Sequence, residues 1–283
     1  METFAIVLVR QNELLLYIQY KAVHSFFVKQ GIEVCKHRPF SAVGEEKKMS
    51  KKIVEFKDVV KTYGKGDSLQ YAVNHVDFSI DEGEFVVILG QSGAGKSTVL
   101  NMLGGMDVPT SGKVIIDGEE ISSLNDRQLS DYRAKSIGFI FQFYNLLPSL
   151  TAYENVALSK DIVKNALDPL EMLRAVGLES HKDKFPAQMS GGEQQRISIA
   201  RALSKNPKII LGDEPTGALD SETGVTVLEL LADMCRKQKK TVILVTHNAD
   251  IAQCADKVIR MKNGRIREIK LNENPKSVRE VEW

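Results

Sequence analysis

The stretch GQSGAGKST, residues 90–98, follows an apolar run at Phe85 to Leu89 and precedes a segment with helical spacing at Thr98 to Leu103. It matches the pattern G-x-x-x-x-G-K-[ST], whose glycines let backbone amides turn inward around phosphate oxygens. A Gly/Ser-rich surface turn is the alternative. The strand before, the helix after and the intact Lys96-Ser97 pair favour a site for ATP or GTP. The predicted phosphate-binding residues are Gly90, Gln91, Ser92, Gly93, Ala94, Gly95, Lys96, Ser97 and Thr98.

Composition restricts the remaining possibilities. The 283 residues are 43% hydrophobic and 27% charged, which is ordinary for a folded domain, and the net charge of +1 gives no reason to expect a nucleic-acid partner. Cys35, Cys235 and Cys254 are far apart and lack C-x-x-C spacing, so neither a disulfide framework nor a zinc site is predicted, and a reducing compartment fits. No apolar run reaches the roughly 18 residues of a membrane span. A role at a membrane would therefore come through a partner.

Runs of β-branched and apolar residues predict a doubly wound α/β core. Continuous apolar runs are typical of strands buried in a parallel sheet, and an amphipathic helix is predicted near Glu222 to Arg236, between the last two runs. Strand, helix, strand in succession indicates parallel pairing. The predicted strands are 53–60, 71–80, 85–89, 113–117, 137–141, 208–211 and 241–246.

A helical insertion is predicted over about residues 143–190. Thr151 with Glu154 three residues later is a capping box, and the segments 152–158 and 168–176 have helical apolar spacing.

The C-terminal region predicts a hairpin and then a tail. Asn263-Gly264 lies between two short apolar-containing runs, 257–261 and 265–269, which is a strong hairpin signal. The charged tail after Leu271 is expected to be loose.

Two carboxylates end the run IILGDEP, residues 209–215. Asp213 is placed to hold Mg²⁺, and Glu214 is the natural group to orient or deprotonate an attacking water. A paired Asp-Glu that merely caps a loop is the alternative, but the phosphate loop upstream favours the catalytic interpretation.

Further site residues are predicted from their positions at strand ends. His247 follows a buried strand, at the edge of a parallel sheet where ligands bind, although a lone histidine is more often structural. Gln142, also at a strand end, is a candidate to touch Mg²⁺ or water and to relay the nucleotide state into the helical insertion. Tyr63 is a candidate to stack on a base, a contact of about 1–3 kcal/mol, or else a core aromatic.

The residues Ser190, Gly191, Gly192 and Glu193 open another predicted helix. Ser190 and Glu193 form a second capping box, while the two glycines expose amides for an anion. That would be a second phosphate site in a chain with one phosphate loop. Two chains facing each other would explain it.

The motifs GQSGAGKST, Gln142, MSGGEQQR, IILGDEP, GALD and Thr246-His247 resemble, in order and spacing, those of ABC-transporter ATPase subunits. The resemblance covers about residues 51–269. It implies an α/β fold, namely a RecA-like P-loop NTPase core with a parallel sheet, an N-terminal antiparallel β subdomain and an inserted α-helical subdomain, in one domain over about 51–270.

The resemblance also implies cofactors, partners and roles. ATP and Mg²⁺ would bind, with Ser97, Gln142 and Asp213 at the metal, and two copies of the subunit would sandwich two ATP molecules. The segment from Ser190 to Glu193 of one copy would face the γ-phosphate held by the other. Asp220, in GALD, would lie at the dimer contact, Tyr63 would stack on adenine, and Lys96, Glu214, Gln142 and His247 would serve catalysis.

Within that family, segments such as GFIFQFYNLLPSLTAYENV resemble the macrolide-export and lipoprotein-release branch, which works with FtsX-like permeases. This implies an ATPase on the cytoplasmic face of the cell membrane, bound there through an integral-membrane permease, that drives export or mechanotransmission. A soluble ABC ATPase acting on DNA or ribosomes is the rival interpretation. The departures from the family pattern are mild: Met189 for Leu, Gly212 for Ala and Glu193 where many relatives have Gln.

Residues 1–48 carry no motif and no complete signal peptide. We expect either a start codon assigned upstream in error, with Met49 the true initiator, or a dispensable extension. A small helix against the cassette or a membrane-surface anchor stays open. We expect the segment before Met49 to be poorly packed, and mass spectrometry of the protein made from its own gene measures the start. An intact mass that includes residues 1–48, with loss of activity when they are deleted, would contradict this expectation.

Overall fold

The computed structural model describes residues 51–217 and 219–281, apart from the side chain of Asp67. The expectations for residues 1–48 lie outside this part of the chain. The strands are β1 (Lys52–Tyr63), β2 (Gln70–Asp81), β3 (Phe85–Leu89), β4 (Ser111–Ile116), β5 (Glu119–Glu120), β6 (Ile137–Ile140), β7 (Ile209–Asp213), β8 (Thr241–Thr246), β9 (Lys257–Lys262) and β10 (Arg265–Leu271). The helices are α1 (Lys96–Leu103), α2 (Asp126–Ser136), α3 (Ala152–Ile162), α4 (Pro169–Ala175), α5 (Gly191–Ser204) and α6 (Ser221–Gln238).

A mainly parallel sheet with the order β10-β9-β3-β8-β7-β6 forms the centre of the described part of the chain. The pairs β3–β8, β3–β9, β7–β8 and β6–β7 are parallel, and every residue of β3 and β8 is buried. Burial on both faces explains why these strands are continuous apolar runs. The carboxyl ends of β3, β6, β7 and β8 share one edge, so the segments that follow these strands meet there. The predicted doubly wound core is confirmed.

A second, antiparallel sheet has the order β2-β1-β4-β5. Phe56 of β1 pairs with Phe78 of β2, and their stacked rings lie 4.5 Å apart. Its buried face joins a hydrophobic core with α1 and α2, which brings the end of β1 close to the phosphate loop. Helix α2 is not among the predicted helices, although Asn125 and Gln128 form a capping box at its start that signals it.

The insertion between β6 and β7 is helical, as predicted. Thr151 and Glu154 form the expected capping box at the start of α3, and the Asp168 side chain caps α4. Asn155 is fully buried and bonds to the backbone of Leu147 and Leu150, which fixes the loop before α3. Helices α3, α4 and α5 pack on one another through a shared core.

The C-terminal region agrees with the sequence in its hairpin and differs in its tail. Asn263 and Gly264 have φ of 50° and 71°, as a two-residue hairpin turn requires. The prediction of a loose tail is wrong: Asn272 bonds to the carbonyl oxygens of Ala252 and Ala255, and Val278 is only 3% exposed. A few apolar residues among the charged ones are enough to anchor the tail. The sequence of the tail does not reveal the surface against which these apolar residues pack.

This packing predicts a stability effect in the tail. Val278→Ala should lower the free energy of unfolding by about 2 kcal/mol, because it removes buried methyl groups and leaves a cavity. Leu271→Ala, at a side chain that is 60% exposed, is the control and should change it by less than about 0.5 kcal/mol. Urea unfolding measures both. Equal, small effects would mean that the tail does not contribute to the core.

Candidate functional site

The phosphate loop connects β3 to α1 and depends on glycines at two close positions. Gly93 and Gly95 have φ of 76° and 97°, in the left-handed region. A Cβ at Gly95 would lie 2.3 Å from the Ala72 carbonyl oxygen on β2, so no other residue fits there. The Gly264 amide of the C-terminal hairpin donates to the Ala94 carbonyl oxygen at 3.0 Å. The antiparallel sheet and the hairpin thus support the loop from two sides.

Lys96 is a buried cation that has no carboxylate partner among the described residues. Lys96 is only 8% exposed, and its Nζ donates a hydrogen bond to the Gln91 carbonyl oxygen at 3.1 Å. Across residues 51–217 and 219–281, Lys96 makes no ion pair. A buried ammonium without a counter-ion is costly. An anionic ligand in the loop would supply the missing negative charge.

Ser97 and Asp213 offer oxygen ligands for a metal ion. The Ser97 hydroxyl lies 3.5 Å from Asp213 Oδ1. Burial, reinforced by the charge of Glu214, raises the pKa of Asp213 above its ordinary value, although Ser97 and Lys96 oppose the shift. No cluster of three or more His, Cys, Asp or Glu side chains suited to a metal occurs in the described ranges. One carboxylate and one hydroxyl, completed by phosphate oxygens and water, is the donor set that suits Mg²⁺.

Glu214 lies beside Asp213 in a strained conformation. Its φ is +47°, which is uncommon for a residue other than glycine and costs about 1–3 kcal/mol. Oε2 accepts from the Thr246 hydroxyl at 2.8 Å, and Oε1 accepts from the His247 amide at 3.0 Å. His247 Nδ1 lies 2.7 Å from Oε1. Three of about four acceptor positions of the carboxylate are therefore used, and a position on Oε2 remains for a water.

The contact between His247 and Glu214 also determines the tautomer of the imidazole. An ionised carboxylate only accepts hydrogen bonds, so Nδ1 of His247 must carry the proton. Nε2 is then the nitrogen that is available to a ligand. The His247 side chain is 75% exposed, so this nitrogen has access to the cavity.

A cavity of about 830 Å³ brings most of the predicted residues together. Such a volume suits a cofactor-sized ligand. Tyr63 lines it with 46% of its surface exposed, so it is not a core aromatic. Gly90 lies behind the loop, outside the cavity. The lining comprises Tyr63, Gln70, Tyr71, Ala72, Gln91, Ser92, Gly93, Ala94, Gly95, Lys96, Ser97, Thr98, Gln142, Asp213, Glu214 and His247.

Other predicted residues do not reach this cavity. Ser190 and Glu193 form the predicted capping box at the start of α5, with the Ser190 amide 2.7 Å from Glu193 Oε2. Gly191 and Gly192 follow Ser190 on the first turn of that helix. Asp220 caps α6 through the Thr223 amide at 2.9 Å. None of these side chains lines the cavity that holds the phosphate loop.

Helix α5 contributes two residues that are not predicted from the sequence. The Gln195 side chain is buried and donates to the carbonyl oxygens of Phe141 and Pro215, at 3.4 and 3.2 Å. Arg201 donates to the carbonyl oxygens of Tyr144 and Asn145, at 2.9 and 2.6 Å. The helix is therefore bonded to the segments on which Gln142 and Glu214 lie. The sequence signal that could have identified Gln195 and Arg201 is the presence of long polar side chains in an otherwise apolar helical pattern.

Comparisons with known proteins agree with this geometry. The family model described as ABC transporter matches residues 73–217. The lipoprotein-releasing system ATP-binding protein LolD of Xanthomonas euvesicatoria is 41% identical over 222 residues, which cover 77% of this chain and 91% of that protein. The solved dimeric ATP-binding cassette MJ0796 of Methanocaldococcus jannaschii, bound to ADP and Pi, is 43% identical with a TM-score of 0.74, over 78% of this chain and 99% of that one.

Length differs among these relatives. A putative ABC transporter ATP-binding protein of Mycoplasma pneumoniae is 44% identical over 234 residues, which cover 82% of this chain and 50% of that protein. The chain thus spans half the length of that relative. Its sequence, its fold and the geometry of its phosphate loop agree with one family. The chain belongs to the ABC transporter family and resembles the family's ATP-binding proteins, as its motifs predicted.

Proposed function

We propose that this chain is the ATP-binding and ATP-hydrolysing subunit of an ABC transporter complex. The observation that carries the proposal is the single cavity in which the phosphate loop, the Ser97–Asp213 pair and the bonded Glu214–His247 pair meet. Lys96, which is buried and makes no ion pair within the part of the chain that the structure describes, supports a polyphosphate ligand. Phosphoryl transfer requires mostly positioning and charge stabilisation, which this set of groups supplies.

In the proposed reaction, amides of the loop and Lys96 bind the phosphates, and Ser97, Asp213 and Gln142 are the residues that would hold Mg²⁺. Such an ion would supply positive charge that offsets the charge of the phosphates. Glu214 orients a water through the remaining acceptor position on Oε2 and takes its proton as the water oxygen bonds to the γ-phosphorus. The bond from that phosphorus to the bridging oxygen breaks, and ADP leaves with the electron pair.

Two copies of the chain would complete the nucleotide site. Ser190 and the two glycines after it lie at the N-terminus of α5, where free amides and the helix dipole attract an anion. They do not line the cavity of their own chain. Facing the phosphates of a second copy gives them a ligand, and the dimeric state of the solved M. jannaschii relative supports this arrangement. Tyr63 would stack on the adenine, and Asp220 would lie at the contact.

Coupling to a membrane permease, of FtsX-like type, is proposed through a groove between the core and the helical insertion. A cavity of about 410 Å³ there is lined by apolar side chains such as Phe139 and Ile162, with Arg133, Arg201 and Lys205 among them. No helix of the described residues is long and apolar enough to span a bilayer. Attachment to the cytoplasmic face of the membrane, for export or mechanotransmission, would then depend on the permease.

The role of Glu214 gives a kinetic prediction. Glu214→Gln should keep ATP binding but lower hydrolysis by about 100-fold or more, because the amide cannot take a proton from water. The variant should accumulate as an ATP-bound dimer, which gel filtration with ATP detects. Lys96→Ala should instead lose ATP binding, so no dimer forms. Hydrolysis by Glu214→Gln near the wild-type rate would contradict the assigned role.

The groove gives a coupling prediction. Phe143 and Leu147 do not line this groove themselves, but they lie on the chain segment that carries its lining residues Phe141 and Asn145. They are 77% and 46% exposed, whereas Tyr144 and Leu146 are half-buried and belong partly to the fold. Phe143→Glu and Leu147→Glu should abolish transport by the assembled complex and spare the basal ATPase of the isolated subunit. Ile269→Glu, at an exposed residue of the C-terminal hairpin, is the control and should spare both. Preserved transport in the Phe143→Glu and Leu147→Glu variants would count against docking at the surface of this segment.

A further inference from the structure

The hydroxyl of Tyr63 is anchored on the loop that follows α1. It donates a hydrogen bond to Asp107 Oδ2 at 2.6 Å. Lys61 Nζ donates to the other oxygen of Asp107 at 2.5 Å and to the Val108 carbonyl oxygen at 2.8 Å. The loop itself is bonded to α1, since the amide of Asp107 donates to the Asn101 carbonyl oxygen. These contacts fix Tyr63 relative to the helix that begins at the phosphate loop.

One face of the Tyr63 ring is covered by Lys61. Lys61 Nζ lies over the ring, 5.1 Å from its centroid, at the distance of a cation–π contact. Tyr63 still lines the cavity, together with Tyr71 and Ala72 on the same side. Because the ammonium covers one face, the opposite face is the one on which a planar base can stack.

The charges of the group stabilise the same arrangement. Burial alone would raise the pKa of the Asp107 carboxyl, but hydrogen bonds from Lys61, Tyr63 and the Val108 amide outweigh burial and lower that pKa. Burial, followed by the bond to Asp107, raises the pKa of the Tyr63 phenol. At neutral pH the phenol is therefore a donor and the carboxylate an acceptor. Hydrogen bonds to an ionised partner are the stronger kind.

We propose that Asp107 and Lys61 are positioning residues that present Tyr63 to the nucleobase, and that they set the preference of the site for a nucleotide over a triphosphate without a base. The proposal rests on nucleotide binding as proposed above. Asp107 and Lys61 do not line the cavity, so they act through Tyr63. A side chain that is held in its bound position beforehand loses less conformational entropy when the ligand arrives.

Two ligands separate this role from a general structural one. The full chain is titrated calorimetrically with MgATP and with magnesium and inorganic tripolyphosphate, which lacks the base. Asp107→Asn removes the charge at nearly constant shape and should raise the Kd for ATP about fivefold, with less than about a twofold change for tripolyphosphate. Tyr63→Phe, which removes only the hydroxyl, should show the same selective loss. Tyr63→Ala should weaken ATP by about tenfold or more.

A carboxylate far from Tyr63 provides the control. Asp233→Asn, which removes a carboxylate from an exposed ion pair with Lys237 on α6, should change neither affinity. Equal weakening of both ligands by Asp107→Asn would overturn the proposal, because Asp107 would then support only the phosphate loop. The proposal would also be overturned if Asp107→Asn and Tyr63→Phe kept the wild-type preference for ATP over tripolyphosphate and had wild-type melting curves. A wild-type chain that binds neither ligand would instead refute nucleotide binding itself, and the positioning role with it.

Discussion

Parallel pairing of β3, β8 and β7 is the constraint on which the site depends. In this register Leu89, the last residue before the phosphate loop, lies opposite Thr246, and Asp213 lies opposite Val245. Parallel strands end at the same edge, so the loop, the two carboxylates and His247 converge although they are far apart along the chain. A slip of one residue would send each side chain to the other face of the sheet. Burial of both faces makes such a slip costly.

At that edge of the sheet, the charge of Lys96 is not balanced by a partner among the described residues. Lys96 is buried without an ion pair among the described residues, and burial raises the pKa of Asp213. Glu214 is held in a left-handed conformation by contacts with Thr246 and His247. These are unfavourable features for stability, of the kind that accumulate at functional sites. The large buried core on both faces of the sheet offsets them.

The helical insertion is joined to this edge by polar contacts from α5. Gln195 bonds to the carbonyl oxygens of the residues next to Gln142 and Glu214, and Arg201 bonds to the carbonyl oxygens of Tyr144 and Asn145. The same helix begins with Ser190 and its capping box. Helix α5 is therefore bonded directly to the segments that carry Gln142 and Glu214. The same helix lines the groove between the core and the helical insertion through Arg201 and Ala202.

Much of the fold and of the site follows from local sequence. The glycine pattern around Lys96, the apolar runs of β3, β7 and β8 and the capping boxes at Thr151 and Ser190 depend on near neighbours, so the sequence alone predicted them. Helix α2 also carried a local signal, a capping box at Asn125, although it was not among the predicted helices.

The remaining features depend on residues distant in sequence. The tail packs through Val278 against a surface built by other elements, and Glu214 is bonded to His247 by strand register. The contact of Tyr63 with Asp107 joins the end of β1 to the loop after α1, and only the packing of the antiparallel sheet on α1 brings these two segments together. The sequence by itself determined the phosphate-loop pattern and the residue types that we propose for binding phosphate. Only the tertiary structure decided which of them touch, because contacts between distant segments are set by packing and not by local preference.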